Sequence, residues 1–372
     1  MKVLLFDSPQ KSLSPLVSLL KQQLCQTATA SDPISGLKLM QKHKFDIVVI
    51  AQHITRTSVE NLLKAIALKF PKCIRITVSQ DESNTKQLTH YDFKEPIEPF
   101  DVINTILSLQ DSHKLITKDV VVKSVAKVKS LPTPPKVYMQ LNALLKQANA
   151  DSEKVAEIIT QDPSLTAKVL QFSNNTFATP EKPLTSISDA ITKMGLDTLC
   201  CIVMTAELFS YQPDIPNFSV VDEQLHALAT ARFAASLVPA HLKQDTMLAG
   251  LLHGLGKLVL FEIDQRLTLK YFENNARKSE DILLEQRIFT TDHAQVGAYL
   301  LHTWCFPYFL IEAVLNYCRP DKIKNGTFGI TQAVYLANAI LKEQPLDKLF
   351  LEHYQFANQL EQLQEKALRF KQ

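Results

Sequence analysis

Apolar residues over the first 110 positions fall into two alternating periods. Val3 to Phe6, Phe45 to Ala51 and Cys73 to Ser79 are near-continuous apolar runs of strand length, the pattern of parallel strands covered on both faces. Between them, Leu13 to Leu24, Ile34 to Lys42 and Val59 to Phe70 repeat apolar residues at helical spacing. This alternation predicts a βαβ series around a parallel sheet. From Asp111 to Ser130 the pattern turns polar, with Lys114, Lys118, Lys123, Lys127 and Lys129, and it ends in Leu131-Pro132-Thr133-Pro134-Pro135. That stretch reads as a connector with a rigid exit.

Beyond the connector, strand signals nearly vanish and helix punctuation takes over. Asp162 followed by Pro163 reads as an N-cap with proline at the first helical position. Ser186 with Asp189 three residues on is an acidic variant of the capping box, Ala190, Ile191 and Met194 continue the apolar stripe, and Gly195 offers a helix end. Further helices are expected over Gln224 to Val238, Thr246 to Phe261, Ala294 to Leu301, Leu310 to Tyr317 and Thr331 to Leu341. The last thirty residues carry Leu346, Leu349, Phe350, Tyr354, Phe356 and Leu360 among polar side chains, enough for one or two helices docked on a bundle. The expected organisation is an α/β domain over 1–112, a linker over 113–130, an all-α domain over 131–341 and a helical extension over 342–372.

Composition narrows the class. The 372 residues are 46% hydrophobic and 21% charged, which suits globular domains and excludes disordered, collagenous or coiled-coil chains. Only 8 are glycine, against an average near ~7% of residues, which argues for helix and against glycine-rich nucleotide loops. Lys plus Arg (40) and Asp plus Glu (38) nearly cancel, so binding to nucleic acid or anionic lipid by charge alone is not expected. The first ten residues, MKVLLFDSPQ, have one cation and a short apolar run stopped by Asp7, too short for a signal peptide, and no membrane span is evident; a cytoplasmic chain is expected. The six cysteines (25, 73, 200, 201, 305, 318) form no C-x-x-C pair and read as buried thiols in a reducing compartment.

The N-terminal region, with a strand ending in Asp7 and alternating βα units after it, resembles the receiver domain of response regulators, a flavodoxin-like fold. Receivers accept phosphate on an Asp at the end of the third strand, beside an acidic pair that holds Mg²⁺. Here the acidic pair is reduced to Asp7 and Ser8, and Ala51 stands at the acceptor position. Ser79 matches the phosphate-contacting hydroxyl, and Glu95 before Pro96 occupies the position of the usual Lys, with Lys94 beside it. A methyl group cannot accept phosphate, and one carboxylate leaves Mg²⁺ short of oxygen ligands. The resemblance implies a pseudo-receiver.

The second region carries a more specific pattern. Gln161-Asp162-Pro163-Ser164-Leu165, Leu170-Gln171-Phe172-Ser173-Asn174-Asn175 with Phe177, Thr185-Ser186-Ile187 with Ala190-Ile191, and Met194-Gly195 follow one another in order. Together they are similar to the HDOD (HD-related output domain) family, over about residues 125 to 340. Read locally, Asp162 caps a helix, Asn174 and Asn175 make a polar turn, and the apolar residues fill a core. Asp292-His293-Ala294 resembles the family's D-H-A segment, with Asp292 placed to cap a helix.

The family is related to HD phosphohydrolases, whose metal site takes an early His, an adjacent His-Asp pair and a late Asp. His226 fits the early His and His253 the paired His. The Asp of the pair is Gly254, and the late Asp position is Asn338; the two-His stretch that often precedes it reads Tyr317-Cys318. Two imidazoles and a neutral amide lack the anionic ligands that hold a divalent ion and acidify its water. No metal or other cofactor is expected, and His253 reads as a core histidine. Gly254-Leu255-Gly256-Lys257 is no phosphate loop: no Ser or Thr follows Lys257, Gly250 is one residue out of register, and the stretch reads helical.

These readings predict a non-catalytic bacterial signalling protein that recognises partner proteins or a small ligand. The alternative is a metal-dependent phosphohydrolase or cyclic-nucleotide phosphodiesterase that uses His226 and His253 with other carboxylates. A nucleic-acid-binding regulator is a third class, to which the balanced charge is the main objection.

Overall fold

The computed structural model describes the chain apart from residues 8–12, 53, 55–57, 80–87, 129–130, 132–134, 146–150, 178–182, 209–212, 276–280, 325 and 371–372, and apart from the side chains at 142, 143, 145, 172, 175–177 and 197. It divides into two compact units, one of residues 1–122 with 298–312, the other of residues 123–297 with 313–372.

In the first unit, strands β1 (Lys2–Phe6), β2 (Gln26–Ala30), β3 (Ile47–Ala51), β4 (Ile74–Ser79) and β5 (Tyr91–Lys94) form one parallel sheet in the order β2-β1-β3-β4-β5. That is the flavodoxin-like order, as expected from the sequence. Every residue of β3 and β4 is buried, which explains their unbroken apolar runs. The sheet is flanked by helices α1 (Ser14–Gln22), α2 (Pro33–Lys42), α3 (Val59–Lys69) and α4 (Pro99–Ile116), and α5 (Asp119–Val125) follows α4 in the chain. Asp32 caps α2 and Ser58 caps α3 through side-chain oxygens.

The stretch read as a polar connector is helical. Helix α4 runs to Ile116 and α5 follows within three residues. Lys114, Lys118, Lys123 and Lys127 are exposed, while His113, Ile116, Val121, Val125 and Val128 are buried, so the lysines mark the solvent face of packed helices rather than a linker. Most of the proline-rich exit, 132–134, lies outside the described residues.

This unit also encloses an unusually polar core. Arg75 of β4 is 1% exposed, and its guanidinium donates to Leu88 O (2.8 Å), Cys73 O (3.3 Å) and Cys305 Sγ (2.5 Å). His90 accepts the Arg75 N–H at Nδ1 (3.1 Å) and reaches His302 O through Nε2 (3.1 Å). Its ring stacks on His302 at 4.5 Å, and His113 lies against His302 at 5.8 Å. Burial pushes all three imidazoles below their ordinary range, His113 down to about 4.

Among the described residues the second unit contains helices and no strand. The capping signals hold: Asp162 Oδ1 accepts from Ser164 N (2.9 Å) and Leu165 N (3.0 Å) at the start of helix Pro163–Phe177, and Ser186 and Asp189 form a capping box on helix Ile187–Met194. Gly195 ends that helix at φ 82°, a conformation that favours glycine. The C-terminal helices Lys348–His353 and Leu360–Leu368 dock as expected: Phe350 packs edge-on against Tyr335 at 4.6 Å, and Lys366 Nζ donates to Ser236 O.

Three expectations need correction here. Thr246 to Phe261 is not one helix; it breaks at His253-Gly254 between Lys243–Leu252 and Leu255–Leu260. Asn174 and Asn175 lie within helix Pro163–Phe177 and form no turn. The Asn174 carboxamide instead clasps Leu184, accepting its N–H at 2.7 Å and donating to its C=O at 2.9 Å, which secures the approach to the next helix. Asn174→Ala is therefore expected to cost about 1–2 kcal/mol, read as a lower urea midpoint by far-UV circular dichroism. Five cysteines are buried as expected, but Cys318 is partly exposed.

Candidate functional site

Helix Val220–Ala235, capped by Ser219, places Glu223 and His226 one turn apart on one face. Helix Lys243–Leu252 ends at His253, and helix Ile330–Leu341 supplies Asn338. These elements bring the sequence-selected residues together. His226 Nε2 lies 2.7 Å from Asn338 Oδ1 and donates to it, and its ring meets His253 edge-on at 5.4 Å. His253 is fully buried; its Nδ1 donates to Gly250 O (2.5 Å), and its ring lies edge-on to Tyr317 at 4.9 Å.

Tyr317 links this pair to His293. The tyrosine hydroxyl is hydrogen-bonded to His293 Nε2, and His293 Nδ1 donates to the Glu285 carboxylate at 2.7 Å. Asp292 beside it caps the helix His293–Thr303 by accepting from Gln295 N (2.9 Å). The same carboxylate pairs with Arg319 Nη2 (2.6 Å) and accepts from Gln286 (2.6 Å). Burial pushes the Asp292 carboxyl up, but Arg319 and Gln286 outweigh it and hold it below the ordinary carboxylate range.

The residue that sequence reasoning missed is Glu223. Its carboxylate, 7% exposed, lies 2.5 Å from Lys257 Nζ and 3.7 Å from Lys342 Nζ. It also fills the space in front of Gly254, where an added Cβ would overlap Glu223 Oε1. An acid one turn before His226 and a lysine one turn after Gly254 were the available signals. Lys257 thus serves an ion pair in a helix, in keeping with the rejection of a phosphate loop.

The description "HDOD domain" matches residues 131–320, more than half of the chain. The chain belongs to the HDOD family.

Solved structures share the architecture. An HDOD domain protein with unknown function from Geobacter sulfurreducens is 22% identical, covers 67% of this chain and 87% of its own, and has a TM-score of 0.53. A protein from Marinobacter aquaeolei VT8, provisionally assigned to signal transduction, covers 91% of this chain and 86% of its own at 15% identity and a TM-score of 0.53. These likenesses establish the fold: a flavodoxin-like unit followed by an all-α HDOD domain. An uncharacterised protein from Treponema pallidum (strain Nichols) is 25% identical over 202 residues, 52% of this chain and 38% of that relative's length.

Within the HDOD domain, Asp162, Pro163 and Asn174 serve local structure, as described above; the Asn175 side chain lies outside the described residues. In the flavodoxin-like unit, Asp7, Ala51 and Ser79 stand at the C-terminal ends of neighbouring strands β1, β3 and β4, and Glu95 directly follows β5. The crevice between β1 and β3 is the topological switch point, where such sheets bind ligands. Asp7 Oδ1 accepts from Leu13 N (3.1 Å), and the Ser79 hydroxyl donates to Asp92 Oδ1 (3.0 Å), an acceptor on β5 that sequence reading did not single out. No single described helix is long and apolar enough to cross a membrane.

Proposed function

We propose that this HDOD protein is a non-catalytic regulator of signal transduction that acts in the bacterial cytoplasm by recognising partner proteins or a small ligand. The observation that carries this reading is the exchange at Gly254. Where HD phosphohydrolases use an aspartate, the space belongs to the Glu223 carboxylate, and two lysines neutralise it. His226 spends its Nε2 proton on Asn338. Among the described residues no group of three or more His, Cys, Asp or Glu stands together to hold a metal. This donor set does not fit a divalent ion, which needs anionic oxygen or several imidazoles free to point at one centre.

The flavodoxin-like unit supports the same reading as a pseudo-receiver. Ala51 offers a methyl group at the end of β3, and the acidic pair that would hold Mg²⁺ is reduced to Asp7 and Ser8, with Asp7 directly after β1. Signals would reach such a unit by docking rather than by phosphoryl transfer.

Metal analysis of the purified full chain, with bis(p-nitrophenyl) phosphate and cyclic nucleotides as substrates, tests the proposal. The expected result is substoichiometric Mn, Fe and Zn and no turnover above buffer. Stoichiometric metal together with phosphodiester cleavage would establish the hydrolase instead.

A further inference from the structure

Helix His293–Thr303, with the sequence HAQVGAYLLHT, carries a histidine near each end and a glycine between them. Every residue from Thr291 to His302 is buried, so this is a core helix on all sides. Residues 293–297 belong to the second unit and residues 298–303 to the first. His293 and His302 stand about 14 Å apart along the axis. Each joins a polar network whose members lie within its own unit.

At the N-terminal end, the His293 ring is bonded to Glu285 through one nitrogen and to Tyr317 through the other, and the Tyr317 ring lies against His253. In the middle, the helix backbone touches that of Gly256. A Cβ on Gly256 would overlap the His293 carbonyl, and one on Gly297 would stand 3.1 Å from Gly256 N. Gly256 lies in helix Leu255–Leu260, which starts directly after the break at His253-Gly254. Two backbones in contact have no side chain between them to yield, so a shift of helix His293–Thr303 is passed on to that break.

The C-terminal end closes in a left-handed turn, with Phe306 N on Leu301 O (3.0 Å), Cys305 N on His302 O (3.1 Å) and Cys305 at φ 58°. Glycine is the usual residue in that conformation. Here a cysteine holds it, and its thiol accepts from the Arg75 guanidinium. His90 Nε2 donates to His302 O (3.1 Å), and His302 Nε2 donates to Pro71 O (3.0 Å). These three contacts clasp the helix end to Pro71, Arg75 and His90 of the first unit.

We infer that helix His293–Thr303 is a relay: a change at the Arg75–His90 clasp of the first unit shifts this helix and alters the packing around His253 and Gly254 in the second. Docking on the sheet unit would in this way reach the histidine site without touching it. The relay goes beyond the recognition proposed above and does not depend on it, because a hydrolase would be governed through the same helix. Metal content and turnover therefore do not bear on it.

Hydrogen–deuterium exchange of the full chain, read by mass spectrometry, tests the relay with Cys305→Gly. Glycine suits the left-handed backbone, so the helix end is kept while the Arg75 contact is lost. Exchange is expected to rise by about fivefold or more at 88–94, around His90, and also at 251–260 and 282–289, on the His253 and Glu285 side. Strand β3 and helix Ser152–Thr160 should keep the parent rate. A rise confined to the first unit overturns the inference, as does no rise at all. Coupling is reciprocal, so Glu285→Gln, which weakens the hold on His293, should raise exchange at 88–94 with β3 unchanged. Unchanged exchange there overturns the inference as well, and this second variant decides the matter if Cys305→Gly strips β3 of its protection.

Discussion

Gly254→Asp, which restores the aspartate of an HD pair, is expected to lower the unfolding free energy by about 3–5 kcal/mol and to bring no metal with it. The added Cβ would overlap Glu223 Oε1, so either the helix carrying His226 shifts or the Glu223 side chain leaves Lys257. Overpacking of this kind costs about 1–3 kcal/mol. A second carboxylate forced against a buried first one adds to it, because two like charges in one desolvated space cannot both ionise freely. Lys257 is only 4% exposed, so displacing Glu223 from it disturbs a buried ion pair that the new carboxylate at 254 restores only in part. Urea unfolding followed by far-UV circular dichroism measures the loss.

The double variant Glu223→Ala/Gly254→Asp separates the causes. It removes the overlap and offers Lys257 a new carboxylate one turn away on the same helical face. About half of the lost stability should return, giving a coupling between positions 223 and 254 of about 1–3 kcal/mol. A single variant as stable as the parent would show that Glu223 does not hold the space, and the structural case against a metal would fall with it.

The fold was largely legible because its strongest signals are local. Strands β3 and β4 are buried on both faces and so wrote unbroken apolar runs, whereas β2, with the sequence QTATA, and β5 lie at the sheet edges and carry too little apolar content to announce a strand. Helix caps at Asp162, Ser186 and Asp292 could be read from two or three adjacent residues. The lysine-bearing stretch after Asp111 misled because exposed lysines spaced along a helix look, in sequence, like a solvated tether; what decides is the buried Ile116, Val121 and Val125 between them. The site was legible as a set of positions, and His226, His253, Gly254 and Asn338 do converge. What filled the space was not. Glu223 lies 31 residues before Gly254, and nothing in one sequence says that its carboxylate takes the room left by a missing side chain.

Lowering the pH from 7 to 5 is expected to destabilise the unit built on the sheet, by about 2 kcal/mol through His113 and further through His90 and His302. Each is buried and its pKa in the folded protein lies below 6.5, His113 at about 4. The folded unit therefore keeps neutral rings while the unfolded chain takes up protons as soon as the pH drops below about 6.5. The unfolded state binds more protons throughout that window, so stability is complete above about pH 6.5 and falls as the pH falls, by about 2 kcal/mol at pH 5 through His113. The surroundings reinforce the neutral form. His90 Nδ1 already accepts the Arg75 N–H, the buried Arg75 guanidinium repels added positive charge, and His302 and His113 stand close enough to oppose each other's protonation. Burial dominates at His113: Asp46 pulls its pKa up, while Lys72 pushes it down in the same direction as burial. Glu312 opposes the trend, since burial raises its carboxyl despite the Ser112 hydrogen bond and its protonation favours the folded form; one such group does not offset three imidazoles. Trp304, the single tryptophan, lies in the 298–312 segment of this unit and reports its unfolding by fluorescence. The urea midpoint read at Trp304 should fall between pH 7 and 5, with more than one proton taken up on unfolding, and His113→Gln should reduce that uptake by about one proton. A midpoint that does not move over this range would mean that the three rings are not held neutral, and the polar core around Arg75 would need another account of its charge.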